Sequence, residues 1–579
     1  MMNRHNADKQ SSAKDFRREW AARGFLILTG VALLASGLFS DLGWLAERGI
    51  APFDPRHPAH ERYMAFFPGL LIITGVLSLI LGTWRYPLFA LQRLAVESPR
   101  KALGGLLLLF LVIAGWIAHG PFRNYPFCMD EYNFFYQAQI FNEGRLFLEF
   151  PEKFSIFTEQ YVIFDEGRLF SKYAPGFPLL LAIGVLFGLP GWVNPLLALA
   201  TLVVLYCFIT TFIDRKTALP AVVLMASTPY FLGYSASYFS QPLALLLTAL
   251  GFYFLRQFQL TEQTRYLILC GLAAGYAAMT RPLDAFCLMV PAGFYLLVIL
   301  YRKKQLPRVV YPLAAFSLLF GIFLTYNYLL TGRISIATYP IVEGEFKVVD
   351  RQATSFIENL LGIAEFYWIN AKESLPPLFG KHFLLPTAIL TPLFALVGVF
   401  RWKSGWKWVL LANFALLVLL YNFHPGTGWP QYGARYYYSG YFAVVVLAVC
   451  GLRGILNRIG TSAAVYAFAA MLLLHGAFSA TAIWQYEHRF EVVMDIWQDI
   501  ERACPGEQTL VLLDKRSSLY RSPKLAAVRF VDLSDFHRNP FMDPSRLHLK
   551  HFRRLNPREV RENFPDHTPC IYRYDILRE

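Results

Sequence analysis

The sequence predicts an all-α polytopic membrane protein of about 13 transmembrane helices, with juxtamembrane helices in its first outer loop and a small α/β domain at the C-terminus. Three observations predict this. Of 579 residues, 55% are apolar and only 16% charged, whereas soluble domains carry about 25% charged residues. Long apolar runs recur through residues 24 to 486, and about 20 such residues cross roughly 30 Å of hydrocarbon. The net charge of +14 sits in short Lys/Arg clusters between those runs. That is the pattern of inner membrane loops, not of a surface for nucleic acid.

The chain opens on "MMNRHNADKQSSAKDFRREWAARG", basic and without a small-residue cleavage site before an overlong apolar run, so it reads as a retained cytoplasmic tail. Spans are predicted near 24–40 and 64–83, which with the tail make an N-terminal unit, 1–101. The central unit, 102–486, holds spans near 102–119, 193–213, 217–233, 240–257, 265–280, 284–301, 309–331, 383–401, 406–423, 436–454 and 462–484. A further apolar run, "PGFPLLLAIGVLFGLPGW" at 175–192, is predicted to lie along the surface. Its Pro and Gly at both ends suit a short helix, and counting it as a span would invert every loop after it. Left on the surface, it puts thirteen Lys and Arg in the five inner loops after residue 213, against seven in the outer loops between those spans.

The outer face then collects the segments 120–192, 280–286, 332–382 and 423–435, and the tail from 487. In the tail, "TLVLLD", "AVRFVDL" and "CIYRYD" read as short strands of a small domain, 487–579. Its 16 basic and 15 acidic residues give no electrostatic clue to a partner. Of seven cysteines, Cys207, Cys270, Cys287 and Cys450 fall within apolar runs and read as packing residues. Cys504 and Cys570 bracket the tail, which permits one disulfide if that segment faces an oxidising compartment.

Chemistry-bearing residues concentrate in the first outer loop. In "MDEYNFFYQAQIFNEG", Asp130, Phe134, Gln137 and Phe141 share a helix face, which sets Asp130 in a first turn at the membrane surface. A carboxylate there is a cap, a metal ligand, an acceptor clamp or a general base. Asp165 and Glu166 lie in the second copy of a near repeat, "FNEGRLFLEF" and "FDEGRLFSKY", which reads as two similar turns. His424 reads as a loop residue. The aromatic run "GWPQYGARYYYSGY" reads first as an interface belt. No His/Cys/Asp cluster specifies a metal.

The acidic pair, followed by "SKYAPGFPLLLAIG", "STPYFLGYSASYFSQP", "TRPLDAF", "YNYLLTGRISIATYP" and "YGARYYY", resembles the bacterial GT-C glycosyltransferases, relatives of the protein mannosyltransferases and of the lipid A aminoarabinose transferase. The resemblance covers roughly residues 102 to 454. It implies an integral inner-membrane enzyme that takes a sugar from a polyprenyl phosphate and passes it, with inversion, to an acceptor hydroxyl on an envelope glycan, a lipid or a protein. The active site and C-terminus are then periplasmic and the N-terminus cytoplasmic. Asp130 matches the family's first-loop acidic residue and is the catalytic candidate, with Glu131 assisting. Lys172, Arg281 and Arg435 are candidates for the departing phosphate, and Tyr173 and Tyr432 for the sugar. Plain alternatives stand beside these: Arg281 pairing with Asp284 one turn on, and Arg435 or Lys172 reaching lipid headgroups. One departure is Gln241, where relatives carry His. No cofactor is specified, and a divalent metal is left open. The competing functions are a transporter or flippase for lipid-linked glycans and an oligosaccharide polymerase or ligase.

Overall fold

The computed structural model describes residues 19–35, 58–84, 93, 97–126, 128–149, 162–338, 390–422, 432, 434–459, 461–505, 509–513, 546–550, 558, 562 and 568–572. Helices dominate. In chain order they are α1 (19–35), α2 (Pro58–Thr83), α3 (Pro99–His119), α4 (Met129–Asn142), α5 (Gly176–Leu186), α6 (Val193–Phe212), α7 (Arg215–Ala226), α8 (Pro229–Ser235), α9 (Gln241–Thr261), α10 (Thr264–Thr280), α11 (Pro282–Arg302), α12 (Val310–Thr331), α13 (Leu390–Arg401), α14 (Trp406–Asn422), α15 (Tyr441–Ile459) and α16 (Thr461–Ala503).

Among the described residues, seven helices are long and apolar enough to cross a membrane. They correspond to the predicted spans at 102–119, 193–213, 240–257, 284–301, 309–331, 436–454 and 462–484. The helices at the other predicted spans are not among these seven. The run at 175–192 yields α5, only 11 residues or about 16 Å at 1.5 Å per residue, too short to cross.

One sequence expectation needs correction. The predicted span 217–233 is two helices, α7 and α8. Pro229 has no N–H to donate and forces Thr228 into extended backbone (ψ 139°), where its hydroxyl caps the new helix by accepting from the Phe231 N–H. Helix α16 runs for 43 residues, Thr461–Ala503, and meets no proline until Pro505.

Glycines allow the closest crossing. A Cβ on Gly398 of α13 would lie 1.9 Å from the Leu447 carbonyl of α15, and one on Gly451 would lie 2.0 Å from the Phe394 carbonyl. These backbones touch as only glycine permits.

Contacts between connections sort them onto two ends of the bundle. At one end Arg453 pairs with Asp214 at 2.9 Å, Lys303 pairs with Glu262, and Arg401 reaches the Gly454 carbonyl. At the other, Tyr238 meets Asn124, Asp130 meets Arg435, Arg281 meets Tyr421, and Thr338 meets the Lys172 carbonyl. The first set joins the basic loops. The second joins segments predicted to share the outer face.

Two small sheets lie outside the bundle. The hairpin β2 (Val162–Asp165) and β3 (Arg168–Ser171) is antiparallel, with β1 (Leu148–Glu149) on the other side of β3. Near the C-terminus, β4 (Thr509–Leu513) is flanked by parallel β5 (Arg546–Lys550) and β6 (Thr568–Tyr572). Strand β4 falls within the predicted "TLVLLD", and β6 overlaps the predicted "CIYRYD" at Cys570–Tyr572. Strand β5 was not foreseen, and "AVRFVDL" lies outside the described residues.

A Cys504–Cys570 disulfide ties the end of α16 to β6 across 66 residues of sequence. Closing a loop of that length contributes roughly 4 kcal/mol through the unfolded chain. Cys504→Ser is therefore expected to speed proteolysis of the tail, reductant is expected to do the same to the wild type, and a digest without reductant should yield the Cys504–Cys570 peptide pair by mass spectrometry.

Candidate active site

The site is built on α4, whose first turn carries Asp130 and Glu131. The loop that delivers this turn is fixed from two sides. Arg123 and Asn124 take positive φ (54° and 49°), and the Tyr238 hydroxyl donates to Asn124 Oδ1 at 2.6 Å. Gly191 backs the same oxygen so closely that a Cβ there would lie 2.0 Å from it.

Downstream, Gln137 clamps the hairpin to α4. Its Nε2 donates to the Leu146 carbonyl and its Oε1 accepts from the Ser171 N–H, both at 2.9 Å. Strand β3 thus hands Lys172 and Tyr173 to the face of α4 that bears Asp130. Phe134 packs on Tyr173 with ring centroids 4.5 Å apart, so the shared face predicted for Asp130, Phe134 and Gln137 is the one the hairpin meets.

Asp130 accepts from the Tyr173 hydroxyl at Oδ1 and from Arg435 Nη1 at Oδ2, the latter at 2.7 Å. The two side chains of this ion pair are only 14% and 11% exposed. Burial pushes the Asp130 carboxyl up, but the Arg435 charge, the bonds from Tyr173 and Arg435, and the Lys172 charge outweigh it and hold the group below the usual carboxylate range. Asp130 is therefore ionised at neutral pH.

Arg435 opens a 3₁₀ turn, Arg435–Gly440. The carbonyl just before it, on Ala434, accepts from the buried Tyr230 hydroxyl at 2.6 Å. Its guanidinium lies over Tyr436, 5.2 Å from the ring centroid, and near Phe239.

Arg281 sits between α10 and α11. Its Nε donates to Asp284 Oδ2 at 2.9 Å and its Nη2 to the Tyr421 hydroxyl at 3.0 Å, while that hydroxyl donates to Asp284 Oδ1. The plain alternative for Arg281, a pair with Asp284, is thus formed, and it leaves Arg281 next to Arg435 through Tyr421 and Tyr436. Lys172 lies over the Tyr173 ring at 5.6 Å.

The remaining candidates fall elsewhere. Glu131 is fully buried and its charge reaches Tyr238, whose hydroxyl is pushed up first by burial and then by Glu131. Tyr432 is 3% exposed, stacked on Phe122 and packed against Tyr234 and Phe239. Asp165 and Glu166 occupy the β2–β3 turn, with Glu166 and Gly167 at φ 48° and 78°, as turns require. Gln241 is buried at the start of α9, and His424 lies outside the described residues. No group of three or more His, Cys, Asp or Glu able to hold a metal occurs among the described residues.

Sequence reasoning did not single out Tyr421 or Tyr436. Tyr421 looks like one more span-end aromatic, and only the fold brings it to Arg281. Asp284 was weighed only as a partner for Arg281.

The arrangement is a buried carboxylate paired with Arg435 and within electrostatic reach of Lys172, with Arg281 in turn within reach of Arg435. It suits taking up a proton beside an anion, since a phosphate entering here would meet a guanidinium and an ammonium.

Residues 175–326 match the family model described as dolichyl-phosphate-mannose-protein mannosyltransferase. No curated protein matches the chain. Among solved structures the chain is similar to ArnT from Cupriavidus metallidurans bound to undecaprenyl phosphate, at 13% identity over 82% of this chain and 96% of that one, with a TM-score of 0.46. It is also similar to the oligosaccharyltransferase AglB from Archaeoglobus fulgidus in complex with an inhibitory peptide and a dolichol-phosphate, at 13% identity over 76% of this chain and 65% of that one, TM-score 0.37. A third is the arabinosyltransferase EmbB from Mycobacterium smegmatis, at 13% identity over 80% and 46%, TM-score 0.40.

Proposed function

We propose that the chain is a membrane glycosyltransferase that moves a sugar from a polyprenyl phosphate to an acceptor hydroxyl, with inversion, on the non-cytoplasmic face. The observation that carries this reading is the buried Asp130–Arg435 pair, with Tyr173 and Lys172 beside it and Arg281 within electrostatic reach of Arg435. The family match over residues 175–326 supports the donor class.

In the reaction the bond from the anomeric carbon to the phosphate oxygen breaks and a bond to the acceptor oxygen forms. Asp130 takes the acceptor proton, while Arg435, Arg281 and Lys172 stabilise the charge gathering on the departing phosphate. A carboxylate held by Arg435 is a weak base. When the donor phosphate draws Arg435 to itself, the charge that lowers the Asp130 carboxyl is withdrawn, and its basicity rises as the substrate arrives.

The face assignment rests on two independent supports. One is the gathering of the basic loops at the opposite end of the bundle. The other is the disulfide at the end of α16, a bond that persists in oxidising compartments, on a helix whose Phe490 stacks on Phe122 beside the site.

The test incubates the purified full-length chain in nanodiscs with polyprenyl-phosphate sugars and envelope glycan, lipid or peptide acceptors. Acceptor-dependent release of polyprenyl phosphate is expected. Movement of the lipid across the bilayer without any transfer would replace this reading with a flippase.

A further inference from the structure

The guanidinium groups of Arg281 and Arg435, which lie within electrostatic reach of each other, are linked by a feature that the chemistry above does not use. Tyr421, from the end of α14, and Tyr436, from the 3₁₀ turn, stack with centroids 4.5 Å apart and planes within 4° of parallel. Arg281 lies over the ring of the first, 5.7 Å from its centroid, and Arg435 over the ring of the second at 5.2 Å. Both rings are buried, at 5% and 7% exposure. Two like charges so placed repel, and each also has its own carboxylate, Asp284 or Asp130.

We infer that the Tyr421–Tyr436 stack is a positioning element that sets the spacing of Arg281 and Arg435, so that both address one phosphate. This rests on the reading of those arginines as the phosphate cations. The physical reason lies in the shape of the guanidinium. Its faces stack on aromatic rings while its five N–H groups point outward in the plane. A ring can therefore hold the cation in place without occupying the edge that binds anions. Arg435 exchanges the Asp130 carboxylate for a phosphate while keeping its ring, and Tyr421 keeps Arg281 in register through both its face and its hydroxyl. Phe preserves the faces, whereas Leu or Met fills the space without them.

The test measures equilibrium binding of undecaprenyl phosphate, and of undecaprenol as a control without phosphate, to the full chain in nanodiscs. Tyr436→Leu, Tyr436→Met and Tyr421→Leu are expected to weaken undecaprenyl phosphate binding by about tenfold, and Tyr436→Phe by no more than about twofold, with undecaprenol unaffected. Wild-type affinity in the Leu and Met variants, equal losses in Tyr436→Phe, or a parallel loss of undecaprenol binding would each overturn the inference. Arg281→Gln and Arg435→Gln form a separate arm. If they leave undecaprenyl phosphate binding unchanged, the phosphate reading itself fails; if they weaken it while the tyrosine variants do not, only the positioning role is lost.

Discussion

Asp130→Asn is expected to reduce transfer by about 10²- to 10⁴-fold, the range that a positioned general base supplies. The amide keeps the volume; its oxygen still accepts from Arg435, while its NH2 can donate to the Tyr173 hydroxyl oxygen where the carboxylate accepted from it, so the geometry is largely kept while the proton acceptor is gone. It also leaves a buried guanidinium without its counter-charge. Removing one partner of a buried ion pair costs about 3–5 kcal/mol, and a fall in melting temperature is expected alongside the loss of activity. The two effects separate when transfer is assayed well below the variant's own melting point. Transfer at the wild-type rate there would take Asp130 out of the mechanism.

Arg435→Gln is expected to lower kcat/KM for the donor by about 10²- to 10³-fold, as loss of a stabilising group at a developing anion does, and to change the pH dependence. In the wild type Arg435 and its neighbours hold the Asp130 carboxyl below the ordinary carboxylate value. A group lowered on folding contributes stability that is full above its unfolded-chain value and is lost as pH falls through the native one. The wild-type acid limb therefore lies below the ordinary range. Without Arg435, burial is less opposed, the carboxyl rises, and the acid limb of both stability and free-enzyme activity moves to higher pH. A pH series of melting temperatures and initial rates checks this; an unmoved acid limb would mean that Arg435 does not set the ionisation of Asp130.

Sequence periodicity carried the bundle well where spans are long and apolar, because hydropathy alone decides those. It failed at 217–233 because a single proline cut an apolar run that composition scores as continuous. It placed the last span, 462–484, where the apolar stretch of α16 lies, and did not foresee that the same helix runs on to Ala503. At the candidate site, Asp130, Lys172, Tyr173 and Arg435 were singled out from short motifs, and the fold brings them together. Their pairing was not legible. Asp130 and Arg435 stand 305 residues apart, and no local pattern reports which of several outer arginines folds back onto the carboxylate. Nor was the packing of Tyr432 on Phe122 legible, since an aromatic beside a loop looks the same whatever ring stacks on it.

The 305-residue interval between Asp130 and Arg435 also sets a clock for biogenesis. A ribosome adding about 5–20 residues per second needs roughly 15 to 60 s to pass from one to the other. Throughout that time the first turn of α4 has emerged and its counter-ion has not been made. The carboxylate must wait in water at the membrane surface, because interment without its cation is too costly. The constellation thus closes late, after α14 has been delivered, and a nascent chain stalled before residue 435 holds most of the bundle but no assembled site.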